Sequence, residues 1–474
     1  MSARLDADAS AAESGITGQL GAWVAGLDFA TLPSEVVFHL KLCLLDSIGC
    51  GLFGASQPWG RITAETAIEF SGGGIGAGKG ASLLGRTDQV SPPDAALANG
   101  TAIHGFEIDD IHVASSLHPG AVAIPAALAL GEARGISGRA LLTAIAAGYE
   151  AGIRVGMCAG VSHSTSGFHV TGTVGAIAAA AAAARALDLA AEPSTHSLAL
   201  GATQAGGLYA ARCGAMAKRF HAGRAAQSGV LAATLAARGF TGADNAIEAP
   251  FGGFMSALSG QHAASTIVDD LGDRWETLRV GFKAYAACAS AHTTIDAVGI
   301  MMLQGLTAEK LQSLTIRMSR KGATNVGWRY VPGEIISAQM NGFYAAAVKL
   351  VHGNASIDQY RQDMLADPRT LAAIERICIV HDPELDKGGA AKRHAVHATA
   401  ELIDGRRLEA YVEQRRGSAE HPLPVAEIER KFERTASALL GAGAVEKLHT
   451  AIMRIDEAAS LKRLCDLMSG RISA

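Results

Sequence analysis

Over most of the first 276 residues, apolar side chains return every three to four positions, the spacing of a buried helix face. The run SEVVFHLKLCLLDSIGCGLFG shows it well, with Val36, Val37, Leu40, Cys43, Leu44 and Ile48 on one side. Ser34 stands where a helix N-cap is expected. A shorter helix is predicted over PWGRITAETAIEF, and longer ones over VAIPAALALGEARG and SGRALLTAIAAGYEAGIRVGM. TGTVGAIAAAAAAARALDL holds an unbroken alanine run from Ala178 to Ala184. Alanine has the highest helix propensity and lets neighbours approach closely, so this reads as a central helix packed on all sides.

The period shifts near Thr277. Ser313–Ser319 and Ile374–Asp382 alternate with period two, and His397–Glu413 reads as two strands joined at Asp404-Gly405, a hairpin dipeptide. Helices are predicted between them at Ala289–Leu303 and Ala338–Val351. After Pro422 the helical period resumes over VAEIERKFERTASALL, AVEKLHTAIMRI and EAASLKRLCDLM. The expected organisation is mainly α: an all-α domain over 1–276, a smaller α+β domain over 277–415, and helices over 416–474 that complete the first domain.

Composition narrows the function. The 474 residues are 49% hydrophobic but only 5% aromatic, and glycine fills 55 positions, which fits closely packed helices and excludes a disordered chain. The net charge is −4 with no basic run, which argues against nucleic acid as the main partner. Seven scattered cysteines form no CxxC pair and read as buried thiols in a reducing cytoplasm. The polar N-terminal stretch has no apolar segment of secretory type. Val170–Ala184, the most apolar run by this reading, is too short for a membrane span of about 20 residues. Neither a membrane nor a secreted location is therefore expected.

Two motifs tempt towards other chemistry. SGGGIGAGKGAS at Ser71–Ser82 has the flavour of a phosphate loop, but Gly80 follows Lys79 where Ser or Thr is required, and the preceding segment is helical. It reads as a surface loop. His104, Glu107, Asp109, Asp110, His112 and His118 crowd together as metal ligands do, yet no second ligand cluster accompanies them, and an acid/base role ranks above a metal.

Four segments concentrate polar residues in apolar surroundings. Asp94–Val122 carries the histidine–carboxylate group just named; if Ala95–Glu107 is helical, His104 and Glu107 share a face. His163–Gly175 places His169 at the mouth of the alanine-rich helix. Gly214–Ala226 sets Lys218, Arg219 and His221 in an apolar helix, where unpaired cations are costly and a pairing with Asp109 or Asp110 is the plain explanation. Val280–Ala297 brings Lys283, Tyr285 and His292 to the expected domain junction, a common place for a ligand. Each segment alone fits an ordinary structural role. Together they describe a pocket with histidines to move protons and lysines to hold anions, suited to proton abstraction next to a carboxylate.

With these residues in place, the chain resembles the MmgE/PrpD family, whose members include 2-methylcitrate dehydratase, cis-aconitate decarboxylase and iminodisuccinate epimerase. LLDSIGCGLFGAS, DAALANGTAIHGFEIDD, HPGAV, GFHVTGTVGA, KRFHAGRAA, FKAYAACASAH and HPLPVAEIERKF fall in family order over nearly the whole length. The resemblance implies a large helical domain with an inserted α+β lid, a homodimer, and no organic cofactor or catalytic metal. It implies catalytic roles for His118, His169, Lys218 and Lys283, and places Tyr344 on a family tyrosine. Glu107 stands where the decarboxylase branch has Asp, and Ile111 where it has Thr, which separates this chain from a cis-aconitate decarboxylase.

The function expected is a cofactor-independent lyase that dehydrates or decarboxylates a small di- or tricarboxylic acid. The catalytic set is His118, His169, Glu107, Lys218 and Lys283. His104, Asp109, Asp110, His112, Arg219, His221, Tyr344 and His292 are expected to bind substrate. The alternatives are an epimerase of a dicarboxylate or amino dicarboxylate, and a non-catalytic carboxylate binder on the same scaffold.

Overall fold

The structure, a computed structural model, describes residues 15–72, 80–213, 215–260 and 264–471. Residues 73–79 of the glycine-rich run lie outside the described residues.

Helices dominate. α1 (Ile16–Gly26), α2 (Ser34–Ala55), α3 (Pro58–Phe70), α4 (Pro92–Ile103), α5 (Gly120–Arg134), α6 (Gly138–Thr165), α7 (Val170–Ala186), α8 (Ala191–Ala202) and α9 (Ala217–Ala236) build the N-terminal half. α7 is the centre: every residue but Arg185 is buried, and α5, α6, α8 and α9 pack around it. The alanine run explains the arrangement, because side chains of one carbon leave room for neighbours on all faces. α4 and α9 also touch closely; a Cβ added at Gly223 would sit 2.2 Å from the Leu97 carbonyl oxygen.

Ser34 opens α2 but does not cap it, since Pro33 holds the cap position and no side-chain bond is made there. α2 is long and apolar enough to cross a membrane by length and composition, and most of it is buried inside this fold. It is a core helix, longer than the Val170–Ala184 run.

The second half carries a four-stranded sheet of β5 (Leu311–Met318), β6 (Ile377–His381), β7 (Val396–Leu402) and β8 (Arg407–Val412), ordered β6-β5-β7-β8. β5 and β6 run parallel and the other pairs antiparallel. The β7–β8 turn contains Gly405 at φ 83°, a left-handed conformation that suits glycine. α10 (Ala289–Leu303) packs on β7 and β8, and α11 (Gly342–His352) on α10 and β6. The single helix expected over Ala338–Val351 is two. Ile335–Gln339 ends first, and Asn341 then caps α11 by accepting from the Tyr344 amide at 3.0 Å.

Two buried clusters result. One joins the N-terminal helices to α12 (Val425–Ala436), α13 (Ala442–Met453) and α14 (Lys462–Met468) through Ile428, Phe432, Leu448, Ile452 and Leu464. The other holds the sheet, α10 and α11. β1 (Ala81–Leu83) and β2 (Arg86–Val90) form a small antiparallel pair before α4, and the short strands β3 (Ile111–His112) and β4 (Val280–Gly281) form another, so the loop after α4 lies beside the segment leading to Lys283.

Candidate active site

The site starts where α4 ends. Pro92 to Ile103 is helical, His104–Phe106 tightens into a 3₁₀ turn, and Glu107 adopts φ 57°, ψ 29°. A left-handed non-glycine residue is strained, and such strain gathers at functional sites. The expected shared helix face for His104 and Glu107 is therefore absent. The turn brings the two side chains together instead: Lys218 Nζ lies 3.2 Å from His104 Nε2 and also bonds Glu107 Oε1.

Glu107 is clasped from two sides. Its Oε1 accepts from Lys218 and its Oε2 from Lys283 at 3.3 Å. Burial alone would raise its pKa, but the two ammonium groups outweigh that and hold the carboxyl well below the usual range. Lys218 thus pairs with Glu107, and not with Asp109 or Asp110 as expected for a structural bridge.

Asp109 sits behind this pair. His104 Nδ1 approaches its Oδ2 at 2.7 Å, His118 Nδ1 the same oxygen at 3.2 Å, and Lys283 Nζ its Oδ1 at 3.8 Å. Burial lowers the His104 pKa to about 4, with nearby Lys218 adding to the effect, so the ring is neutral at neutral pH. The Lys218 ammonium can only donate. His104 Nε2 therefore carries a lone pair, and Nδ1 carries the proton given to Asp109. Burial lowers the pKa of His118 as well. His169 falls well below its usual value, through burial first and then Lys218. His169 also stands at the N-terminus of α7, whose positive end disfavours a charged ring.

His104, Asp109 and His118 bring one ligand atom each within 4.8 Å of one another, a spacing a metal ion accepts. The chemistry opposes it: Asp109 is engaged by both rings, and two lysine ammoniums lie beside the group.

Glu107, His118, His169, Lys218 and Lys283 all line one cavity of about 80 Å³. The structure thus gathers the expected catalytic set on a single space. The expected binding residues divide. His104 and Asp109 form the layer behind the wall. His221 supports His169, Nδ1 to Nδ1 at 3.2 Å.

The remaining five are not brought to the cavity. Asp110 accepts from Tyr149 at 2.7 Å and from the Gly120 amide at 3.1 Å, which anchors the turn before α5. His112 turns to Ser115 at 2.9 Å and Glu276 at 3.4 Å. Arg219 donates to the Gly105 carbonyl at 2.6 Å and lies over Trp59. Tyr344 donates to the Gln359 carbonyl at 2.6 Å inside the second core. His292 faces the Ala287 carbonyl at 3.1 Å. In each case a buried polar group has found a partner inside the protein, and none of the five lines the cavity.

Part of the wall comes from residues outside the predicted set. Tyr209, Ser290, Lys321, Asn325, Arg393 and His394 also line the cavity, most of them from the sheet-bearing half. The signal was faint: Lys392-Arg393-His394 is a small basic group before a strand, which resembles any solvated turn.

Residues 18–266 match the MmgE/PrpD N-terminal domain, and residues 285–457 the MmgE/PrpD C-terminal domain. The chain belongs to the MmgE/PrpD family. This MmgE/PrpD protein is 28% identical to the cis-aconitate decarboxylase-like protein oryM of Aspergillus oryzae, over 98% of its own length and 99% of the relative's. It is 27% identical to the cis-aconitate decarboxylase of Aspergillus terreus over 97% of both, and 25% identical to the human cis-aconitate decarboxylase over 96% and 95%. The C-terminal family segment crosses the structural division, since it takes in the sheet together with α12 and α13, which pack into the first core.

Proposed function

We propose that this chain is a lyase of the MmgE/PrpD type, acting without an organic cofactor on a small di- or tricarboxylic acid. One observation carries the reading: His118 and His169, whose pKa values burial lowers, face a single small cavity together with Lys218 and Lys283. A neutral imidazole can take a proton from a carbon next to a carboxylate. The electron pair left behind spreads onto that carboxylate, and Lys218 and Lys283 stabilise the added charge. In elimination, the pair then forms the double bond as the group on the neighbouring carbon departs. In decarboxylation, the bond to the departing carboxylate supplies the same pair, CO₂ leaves, and a carbon takes up a proton. The named relatives support the decarboxylating form.

A second reading rests on Ile111. It lines the cavity where the decarboxylase branch carries a threonine, so that position offers no hydroxyl. Two histidines on one cavity also suit an epimerase, which exchanges the carbon proton without losing a group. The homodimer implied by the resemblance and the cytoplasmic location expected from the cysteine pattern belong to this proposal, and sedimentation of the purified protein tests the first.

The test is a screen of di- and tricarboxylic acids in heavy water, followed by NMR and mass. A lyase gives loss of water or CO₂; an epimerase gives deuterium uptake at constant composition. His118→Ala and His169→Ala should each lower turnover by at least about 100-fold with the fold intact by circular dichroism. Near-normal rates in both variants would sink the reading.

A further inference from the structure

We propose that Arg393 is the anchor for a second substrate carboxylate, one that survives the reaction. The inference rests on the lyase reading above and assigns it a substrate orientation.

Arg393 is only 7% exposed, yet its Nε and Nη2 have no hydrogen-bond partner. Among the described residues, no acidic side chain lies within salt-bridge distance of its guanidinium. Burial lowers its pKa to about 10, and no neighbouring carboxylate offsets that. A buried, unpaired guanidinium is costly, and the donors left over match the oxygens of a carboxylate. The other cations of the cavity differ. Lys218 and Lys283 are already clasped by Glu107.

The side chain is also held in place. Nη1 reaches Ser116 Oγ at 3.3 Å, which ties the guanidinium to the loop that carries His118. Ser116 has φ 58°, a strained conformation for serine. The backbone is fixed by Thr293, which donates to the His394 carbonyl at 2.6 Å, and by Ser319, which donates to the Arg393 carbonyl. Arg393 borders two spaces, the inner cavity and a larger cleft of about 730 Å³ that shares Ser164, Tyr209, Lys321 and Asn325 with it. It therefore stands where the outer cleft meets the reaction space. Lys321 reaches from the sheet-bearing half to Ser164 Oγ at 3.1 Å and adds a second cation at that neck.

The substrate so held carries at least two carboxylates. One lies by Lys218 and Lys283 with the reacting carbon towards His118 and His169. The other is gripped by Arg393 at the neck.

Two measurements on the full-length protein test this. The first is thermal stabilisation and calorimetric binding with tricarballylate, a non-reacting tricarboxylate, and with butyrate as the monocarboxylate control. Wild type should bind tricarballylate well above butyrate. Arg393→Gln should weaken tricarballylate on the order of 10- to 100-fold and butyrate little, with Arg393→Lys between them. The second is steady-state kinetics on whichever polycarboxylate the screen identifies: Arg393→Gln should raise KM by a similar factor and change kcat less. Arg393→Lys keeps the charge and guards against loss of the fold. Wild-type binding retained in Arg393→Gln, or a loss confined to kcat, overturns the anchor and leaves the lyase reading standing. Wild type that neither binds nor converts any polycarboxylate overturns both.

Discussion

Asp109 and Asp110 are neighbours in sequence, and both are fully buried, yet they hold opposite charge states. Asp109 is kept well below the usual carboxyl range: burial works against its charge, and His118 and His104, both set against Oδ2, outweigh burial. Asp110 accepts from the Tyr149 hydroxyl and the Gly120 amide, and burial, with the Asp109 carboxylate beside it, pushes it up to about 8, so it is mostly protonated at pH 7. Asp109→Asn should therefore lower turnover by at least about 100-fold, because a neutral amide, which can donate as well as accept, no longer fixes His104 in its present tautomer with a charged acceptor. Asp110→Asn replaces a neutral acid with a neutral amide and should leave turnover within a few-fold. The same substitution should flatten part of the pH dependence of stability. A group raised from 3.8 to about 8 contributes stability that is complete below the lower value and is lost as pH rises to the upper one. His104, lowered to about 4, adds a slope of opposite sign only below its ordinary 6.5. Between pH 6.5 and 8, Asp110→Asn should thus gain about 2 kcal/mol relative to wild type, read as the difference of urea midpoints. Parallel curves for the two proteins would refute the protonated Asp110.

At the scale of the element, the site depends on how closely α9 lies against α4. Lys218 leaves α9 and Glu107 follows α4, so the distance between helices sets their bond. Gly223 permits the approach, since an added Cβ would meet both the Leu97 carbonyl oxygen and Thr101 Oγ1 at 2.2 Å. In an isolated helix, Gly→Ala gains about 1 kcal/mol. Here the new methyl meets backbone that cannot step aside, and overpacking costs about 1–3 kcal/mol. The second effect wins. Gly223→Ala should lower the melting temperature and, by moving Lys218, reduce kcat several-fold; an unchanged kcat would separate the helix spacing from the site. Elements of this kind were legible in the sequence. The alanine run announced a helix buried on all sides, and the Asp404-Gly405 dipeptide announced a hairpin, because propensity and turn chemistry are local. The end of α4 was not legible. Glu107 in a left-handed turn is a tertiary outcome, maintained by two lysines far along the chain, and no local preference encodes it.

The whole molecule places its chemistry on the seam between two cores. His104, His118, His169, Glu107 and Asp109 belong to the helical part, while Arg393, His394, Lys321 and Asn325 come from the sheet-bearing half. Patterns of residue type exposed the first group because histidine and acid in apolar helices are conspicuous. The second group was hidden, since basic and polar residues beside strands look like any solvated turn. Arg219 and Tyr344 misled for the converse reason: both are polar and buried, but their partners are carbonyls. Arg219 nonetheless has a task at this scale. With Gln339 it fastens the seam: Gln339 Nε2 donates to the Phe106 carbonyl at 2.7 Å, and Arg219 Nη2 donates to Gln339 Oε1 at 3.2 Å. Phe106 immediately precedes Glu107, so this bond fixes the strained turn from the opposite half. Gln339→Leu keeps the volume roughly but leaves the Phe106 carbonyl and part of the guanidinium unpaired in a dry interior, a loss of about 1–3 kcal/mol. The expected result is a lower melting temperature together with a fall in kcat of at least about 10-fold, because Glu107 is released from its two lysines. Gln339→Glu separates the causes. It keeps the acceptor for Arg219 but cannot donate to Phe106, so it should recover stability more than turnover. Equal recovery of both would mean that the seam supports the fold alone and that the turn at Glu107 is held without it.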